Sequence, residues 1–334
     1  MSRPRVVAVV GATATGKTEL GESLADSLGG EIVCADSRQV YRELEVGTGK
    51  PTRAERETRP HHLFDALSLA GPSSGWCPPA AVASAGWYAR VARVACQDIL
   101  ARGRTPVLVG GSGLYLAALQ RGLAPTPRVP SAVRERVRAA LAEHGPAALH
   151  QQLARSDPET AARLAPRDAQ RVARALEVLE ASGHPLSWWH ARPGADALAA
   201  DWRVLELVVP PARLARRIAA RTVALFEAGL VDETRALIAA GLAAPLARLH
   251  AVGYDEAVEL LAGRCSVEAA RERVSLRTRQ LAKRQRTWFR HQVEAVRIEV
   301  EHETPAAPLA AARRALGATA AHRAPGSATR GPAR

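Results

Sequence analysis

The chain has 334 residues, 47% of them hydrophobic, and a formal net charge of +13, so it can bury a substantial core spread over two or three domains. No stretch approaches the roughly eighteen uninterrupted apolar residues of a membrane-spanning helix, and Cys34, Cys77, Cys96 and Cys265 lie far apart with no C-x-x-C pair, which disfavours a zinc module and a disulfide framework. The positive balance suggests a polyanionic partner, but an arginine- and alanine-rich composition accounts for part of it, so where the charge sits matters more than its total.

The first predicted strand, residues 6–10, runs directly into Gly11-Ala12-Thr13-Ala14-Thr15-Gly16-Lys17-Thr18. This fits G-x-x-x-x-G-K-[ST], a loop whose backbone N–H groups and lysine cradle a di- or triphosphate at a helix N-terminus, with the last hydroxyl available to Mg²⁺. A merely glycine-rich turn is the plainer alternative, but the strand before the loop and the helix-like residues 19–28 after it favour the phosphate site. The basic first five residues look like the start of a signal peptide, yet cleavage behind the apolar run would destroy the loop, so a cytoplasmic protein is expected.

A second strand over residues 31–35 ends at Asp36, and a helix over 87–101 leads to a third strand over 106–110. The alternation implies an α/β fold, a P-loop NTPase-like parallel sheet flanked by helices. Ligands of such sheets bind beyond the carboxyl ends of the strands, which selects the loops at 11–18, 36–41 and 111–115. From about Gly122 the pattern becomes helical, at 131–143, 147–155, 158–164 and 168–181, and reads as an inserted all-helical domain. A strand over 203–209 returns to the sheet, and helices follow over 211–228, 230–240, 254–261 and 266–291. The expected division is a core at 1–120 and 197–302, an insertion at 121–196, and a disordered tail at 303–334, whose Arg, Ala, Gly and Pro offer few large apolar groups.

Phosphoryl-transfer enzymes of this kind usually place a carboxylate on a second apolar strand to organise Mg²⁺. Here the third strand ends in Gly110-Gly111-Ser112-Gly113, which lacks one; Asp36 is the placed carboxylate, serving a metal or acting as general base, or else an Asx turn or helix cap. The Gly110–Gly113 stretch lets backbone approach a ligand and presents the Ser112 hydroxyl, or is a plain turn. Arg213, Arg216, Arg217 and Arg221 lie on one helix, with Arg217 and Arg221 one turn apart and able to clamp a diphosphate, unless they form a solvated basic face.

Between Arg264 and Arg297 there are ten Lys/Arg against three Glu. Arg279, Lys283, Arg286 and Arg290 fall on one helical stripe, Arg273, Arg277 and Arg284 on another, and Val274, Leu281 and Phe289 on the remaining face. The helix is expected to pack by its apolar side and offer the basic side to a phosphate backbone, with Trp288 and His291 beside it; a solvated face is the alternative.

Together these residues resemble the tRNA dimethylallyltransferase (tRNA isopentenyltransferase) family of bacterial type. The resemblance spans roughly residues 5–298 through Ala35-Asp36-Ser37-Arg38-Gln39-Val40-Tyr41, Gly47-Thr48-Gly49-Lys50-Pro51, His61-His62-Leu63, Val109-Gly110-Gly111-Ser112-Gly113-Leu114-Tyr115, Gln170-Arg171-Val172-Ala173-Arg174-Ala175-Leu176-Glu177-Val178, Val252-Gly253-Tyr254, and Gln280-Leu281-Ala282-Lys283-Arg284-Gln285-Arg286-Thr287-Trp288-Phe289-Arg290. It implies transfer of the dimethylallyl group from its diphosphate to the exocyclic N6 amine of the adenosine 3′-adjacent to the anticodon in tRNA, with diphosphate as leaving group and Mg²⁺ as cofactor.

By the same resemblance Asp36 is the base and Ser112 the catalytic hydroxyl, where the family usually has Thr. Gly11, Thr13, Ala14, Thr15, Gly16, Lys17, Thr18 and Arg221 hold the diphosphate, and Thr18 the Mg²⁺. Asp36, Ser37, Arg38, Gln39, Arg134, Gln170, Arg171, Arg174, His250, Gly253, Tyr254, Lys283, Arg284, Arg286 and Arg290 contact the tRNA, and the insertion grips the anticodon stem-loop. His250 stands where the family often has Arg. A monomer with no membrane partner is the simplest expectation. A P-loop small-molecule kinase, an adenylate isopentenyltransferase acting on free nucleotide, and a non-catalytic RNA-binding protein are the competing readings.

Overall fold

The computed structural model describes residues 3–71, 83–300 and 306–321; Cys77 and the end of the expected tail, 322–334, lie outside them. β1 (Arg5–Gly11) is a run of buried, mostly β-branched residues, the composition of a strand covered on both faces. The phosphate loop follows and opens α1 (Lys17–Leu28), which leads to β2 (Gly30–Cys34). Then come α2 (Arg53–Glu57), β3 (His61–His62), α3 (Ala85–Ala101), β4 (Thr105–Gly110) and α4 (Gly113–Arg121). The helical stretch holds α5 (Ser131–Ser156), α6 (Pro158–Arg163), α7 (Ala169–Ser182) and α8 (Leu186–His190). β5 (Asp201–Val208) precedes α9 (Pro211–Glu227), α10 (Leu230–Ala239), α11 (Ala243–Leu249), α12 (Tyr254–Leu261) and α13 (Val267–Gln292). β6 (Val296–Glu299) and α14 (Ala306–Ala321) complete the described chain.

The six strands form one parallel sheet in the order β3-β2-β4-β1-β5-β6. In register, Val9 of β1 lies between Val109 of β4 and Leu205 of β5. Because all strands run the same way, the loops after β1, β2 and β4 open at one edge, where ligands of such sheets bind. Leu20 and Leu24 of α1 pack on Val7, Val107 and Val109, and Leu214 and Ile218 of α9 and Ala282 of α13 join the same core.

The chain forms two compact units, Met1–Gln120 with Ala199–Arg334, and Arg121–Leu198. The second has its own core, in which Val133, Leu149, Leu153, Val172 and Leu176 are buried together. Its longest helix, α5, is broken at Gly145, whose φ of 75° and ψ of 168° are not helical, with Pro146 following; the two predicted helices are its two arms.

The expectation of disorder from residue 303 fails over α14. Leu309, Ala312 and Leu316 recur at helical spacing and pack into the core formed with α1 and β6, with Ala312 and Leu316 buried. Composition hid this because alanines count for little in bulk yet fit a close helix contact; one stripe of small and medium side chains was enough.

Candidate functional site

The loop after β1 curls through two left-handed residues, Ala14 at φ 62° and Gly16 at φ 92°. Alternation of this kind turns successive N–H groups to one side as an anion nest, and a non-glycine held there is strained in the way binding sites commonly are. Thr15 Oγ1 and Lys17 Nζ both donate to the carbonyl of Ala12, at 2.9 and 2.5 Å. Gly16 caps α1 without a side-chain hydrogen bond, so the first-turn N–H groups and the positive end of the helix dipole are left for an anion.

Burial pushes the Lys17 ammonium down to about 8; Asp36 opposes that fall and Arg221 adds to it. Arg221 is likewise lowered by burial and supported by Asp36. Two cations and one carboxylate, from α1, α9 and the end of β2, therefore share one poorly solvated space, where an anion would offset the cost of burying the two positive charges. Arg221 donates to Thr48 O at 3.1 Å, and Arg217, one turn earlier, to Thr15 O at 3.4 Å, so α9 reaches the phosphate loop and the turn at residues 48–49.

Asp36 Oδ1 accepts from the N–H of Arg38 at 2.8 Å and of Gln39 at 3.4 Å. The Asx turn held open as the alternative is thus present; it occupies one oxygen and leaves Oδ2 for chemistry. Ser112 Oγ accepts from Ser37 N–H at 3.0 Å, and Ser112 N–H donates to Ala35 O at 3.2 Å. This crossing needs Gly110, because a Cβ there would fall on the Ala35 carbonyl. Asp36 and Ser112 consequently sit on adjoining loops.

The candidates for RNA contact divide. Arg38 donates to Leu249 O at 2.6 Å and Gln39 to the carbonyls of Thr48 and Gly49 at 3.3 and 3.2 Å, so both brace the site. His250 is exposed at the left-handed end of α11. Tyr254 departs from expectation: its ring is fully buried and its phenol donates to Glu233. Gly253 is buried too, with its N–H on Glu256 Oε2 at 2.8 Å. Both serve the packing of α12, so side-chain contact with RNA is withdrawn for Tyr254.

On α13, Arg273, Arg279, Lys283, Arg284, Arg286 and Arg290 are exposed, while Val274, Ala282 and Phe289 are buried. Arg277 instead pairs with Asp255 and Glu256 at 2.8 and 2.6 Å. Trp288, expected beside the RNA, turns inward onto Gly113, and its Nε1 is buried; His291 is exposed. In the helical unit, Arg134 on α5 and Gln170 and Arg171 on α7 are exposed, and Arg174 reaches Thr126 Oγ1 at 3.4 Å and Glu177 at 3.6 Å.

Sequence reasoning passed over Gln285. Its Oε1 accepts Thr13 N–H at 2.9 Å, and its Nε2 donates to Gly111 O at 3.0 Å. The available signal was an uncharged amide set between Arg284 and Arg286 in an otherwise basic helix.

Among the described residues no cluster of three His, Cys, Asp or Glu could hold a metal. Mg²⁺ keeps several waters and takes one or two protein oxygens beside substrate phosphates, and the exposed Thr18 hydroxyl in the first turn of α1 is an oxygen of that kind. No described helix is long and apolar enough to cross a membrane.

Comparison with known proteins places this geometry. The family model described as IPP transferase matches residues 39–292, and that described as isopentenyl transferase matches residues 4–68. The chain belongs to the IPP transferase family. A tRNA dimethylallyltransferase of Halorhodospira halophila is 45% identical over 299 residues, covering 89% of this chain and 93% of that protein. The full-length tRNA isopentenylpyrophosphate transferase of Bacillus halodurans superposes with a TM-score of 0.65 at 30% identity, covering 96% of this chain and 100% of that one. A eukaryotic dimethylallyltransferase acting on tRNA shares the fold, with a TM-score of 0.77 at 24% identity over 98% of this chain and 82% of that one. The architecture is accordingly the P-loop NTPase-like α/β fold of these transferases.

Proposed function

We propose that this enzyme transfers the dimethylallyl group of dimethylallyl diphosphate to the N6 amine of the adenosine 3′-adjacent to the anticodon of tRNA, releasing diphosphate. It is a prenyl-transferring enzyme of tRNA modification, in keeping with its family. The observation that carries the finer reading is the trio of Lys17, Asp36 and Arg221, two cations for a departing diphosphate facing one carboxylate. In the proposed step the adenine nitrogen attacks C1 of the dimethylallyl group, the C1–O bond breaks, and its electron pair leaves with the diphosphate. Asp36 Oδ2 takes the proton from the nitrogen, while Oδ1 stays fixed by Arg38 N–H. Lys17, Arg221 and the loop N–H groups other than that of Thr13, which Gln285 holds, bind the charge that grows on the leaving oxygen, and Ser112, held by Ser37 N–H, marks the acceptor side. Thr18 would hold a Mg²⁺ whose charge would help neutralise the diphosphate.

An adenine in a single-stranded loop is unstacked at a cost of only a few kcal/mol, which suits an anticodon loop lying on the basic side of α13; within the helical unit, Arg134, Gln170, Arg171 and Arg174 are the residues proposed for RNA contact. The kinase and free-nucleotide readings lose ground to the relatives, which are named for tRNA. Incubation with labelled dimethylallyl diphosphate and unmodified tRNA, followed by nucleoside analysis, tests donor, acceptor and modified atom together. Label on a free nucleotide, or on another atom of the RNA, would refute the assignment.

A further inference from the structure

The inward side of α13 carries two side chains that take no part in the reaction as drawn. Gln285 spans the turn after β1 and the turn after β4 with one amide, accepting Thr13 N–H and donating to Gly111 O. Few side chains could do both: a carboxylate has no donor, an ammonium no acceptor, and asparagine is one methylene shorter. Gly111 is part of the arrangement, since a Cβ on it would collide with Gln285 Nε2. One turn along, the Trp288 indole lies where a Cβ of Gly113 would be, on the other flank of Ser112. The same stretch of helix presents Lys283, Arg284, Arg286 and Arg290 to solvent. A helix turn is stiff, so whatever settles on those four residues bears on the backbone of both loops.

We propose that Gln285 is a positioning residue that ties RNA docking on the outer side of α13 to the geometry of the diphosphate loop and the Ser112 turn, so that each substrate tightens the binding of the other. The proposal rests on the function given above. Gln285 touches neither reacting atom; it fixes Thr13, two residues before the Thr15 carbonyl held by Arg217, and Gly111, next to Ser112. Linkage requires the effect to be reciprocal: if bound RNA draws α13 and the loop into the diphosphate-binding geometry, bound diphosphate raises RNA affinity by the same factor.

The test is titration of the full-length protein with inorganic pyrophosphate and Mg²⁺, with and without saturating unmodified tRNA, in wild type, Gln285→Ala, Gly111→Ala and the double variant. In wild type, tRNA is expected to tighten pyrophosphate binding about fivefold or more, the lower range of measured couplings. In Gln285→Ala that ratio should fall to about one while affinity for tRNA alone stays within about twofold, a pattern that general loss of structure would not produce. Gly111→Ala should likewise abolish the ratio by displacing the amide, and adding it to Gln285→Ala should change little further, since the collision is then gone. A ratio unchanged in Gln285→Ala, no ratio in wild type, or additive effects of the two substitutions would overturn the proposal. Wild type that binds neither probe overturns the functional reading and this proposal with it, whereas binding of both with an unaltered ratio in the variants overturns this proposal alone.

Discussion

Lys17 offers the most quantitative prediction. Its ammonium is pushed from an ordinary 10.5 down to about 8, chiefly by burial, and a bound diphosphate requires the charged form. For an ionisation near 8, about nine in ten of these side chains are charged at pH 7 and about one in ten at pH 9, so pyrophosphate affinity should fall roughly tenfold across that interval, and binding at pH 8 should take up about half a proton. The assay is calorimetric titration in buffers of different ionisation enthalpy, with Lys17→Arg as reference because its guanidinium stays charged throughout. Ionisation of pyrophosphate itself enters both proteins alike, so the difference between them isolates Lys17. Stability should move in the opposite direction. The unfolded chain holds this proton up to about 10.5 and the folded chain only to about 8, so the penalty of burying the charge is full below pH 8 and is relieved as pH rises from 8 to 10.5. Parallel affinity profiles for wild type and Lys17→Arg between pH 7 and 9 would refute the reasoning.

Asp36→Asn keeps an Oδ1 acceptor for the N–H of Arg38 but removes the base; single-turnover transfer should fall about a hundredfold or more with tRNA affinity little changed, and a near-normal rate would end the base assignment. Replacing Arg279, Lys283 and Arg286 together by Ala should weaken tRNA binding and lower its log–log salt slope by about two to three; an unchanged slope places the RNA elsewhere. Gly110→Ala sets a Cβ against the Ala35 carbonyl, so melting should reveal a loss of about 1 to 3 kcal/mol, with the rate of transfer reduced as Asp36 and Ser112 are pushed apart. Wild-type melting and rate in that variant would show that the two loops do not depend on each other.

The phosphate loop was legible because it is local: a buried strand, a glycine-rich turn and a helix follow one another between Arg5 and Leu28. The helix at Tyr254–Leu261 was read to the residue, since Gly253 and its own apolar periodicity delimit it. β3 and β6 were not, because two residues on one edge and four on the other, with only Ile298 of β6 buried, carry no periodicity to detect. The roles of Tyr254 and Trp288 were missed for a different reason. Both lie in motif blocks that suggest RNA contact, but which side of a helix faces the protein depends on distant partners, Glu233 for one and Gly113 for the other. Gln285 escaped on the same ground, since its two partners lie 272 and 174 residues away.

Such distances also set an order in time. Residues 11–18 leave the ribosome well before their partners: their sheet neighbour β5 begins at Asp201, their clamp is Gln285, and the flank of α1 is covered only when Leu316 arrives. The helical unit, with a core of its own within Arg121–Leu198, is synthesised in between and can collapse by itself, as domains generally do. A nascent chain therefore carries the core of the helical unit well before the later partners of the phosphate loop are made. The packing of α1 is completed later still, by α14, a helix that composition alone would have discarded.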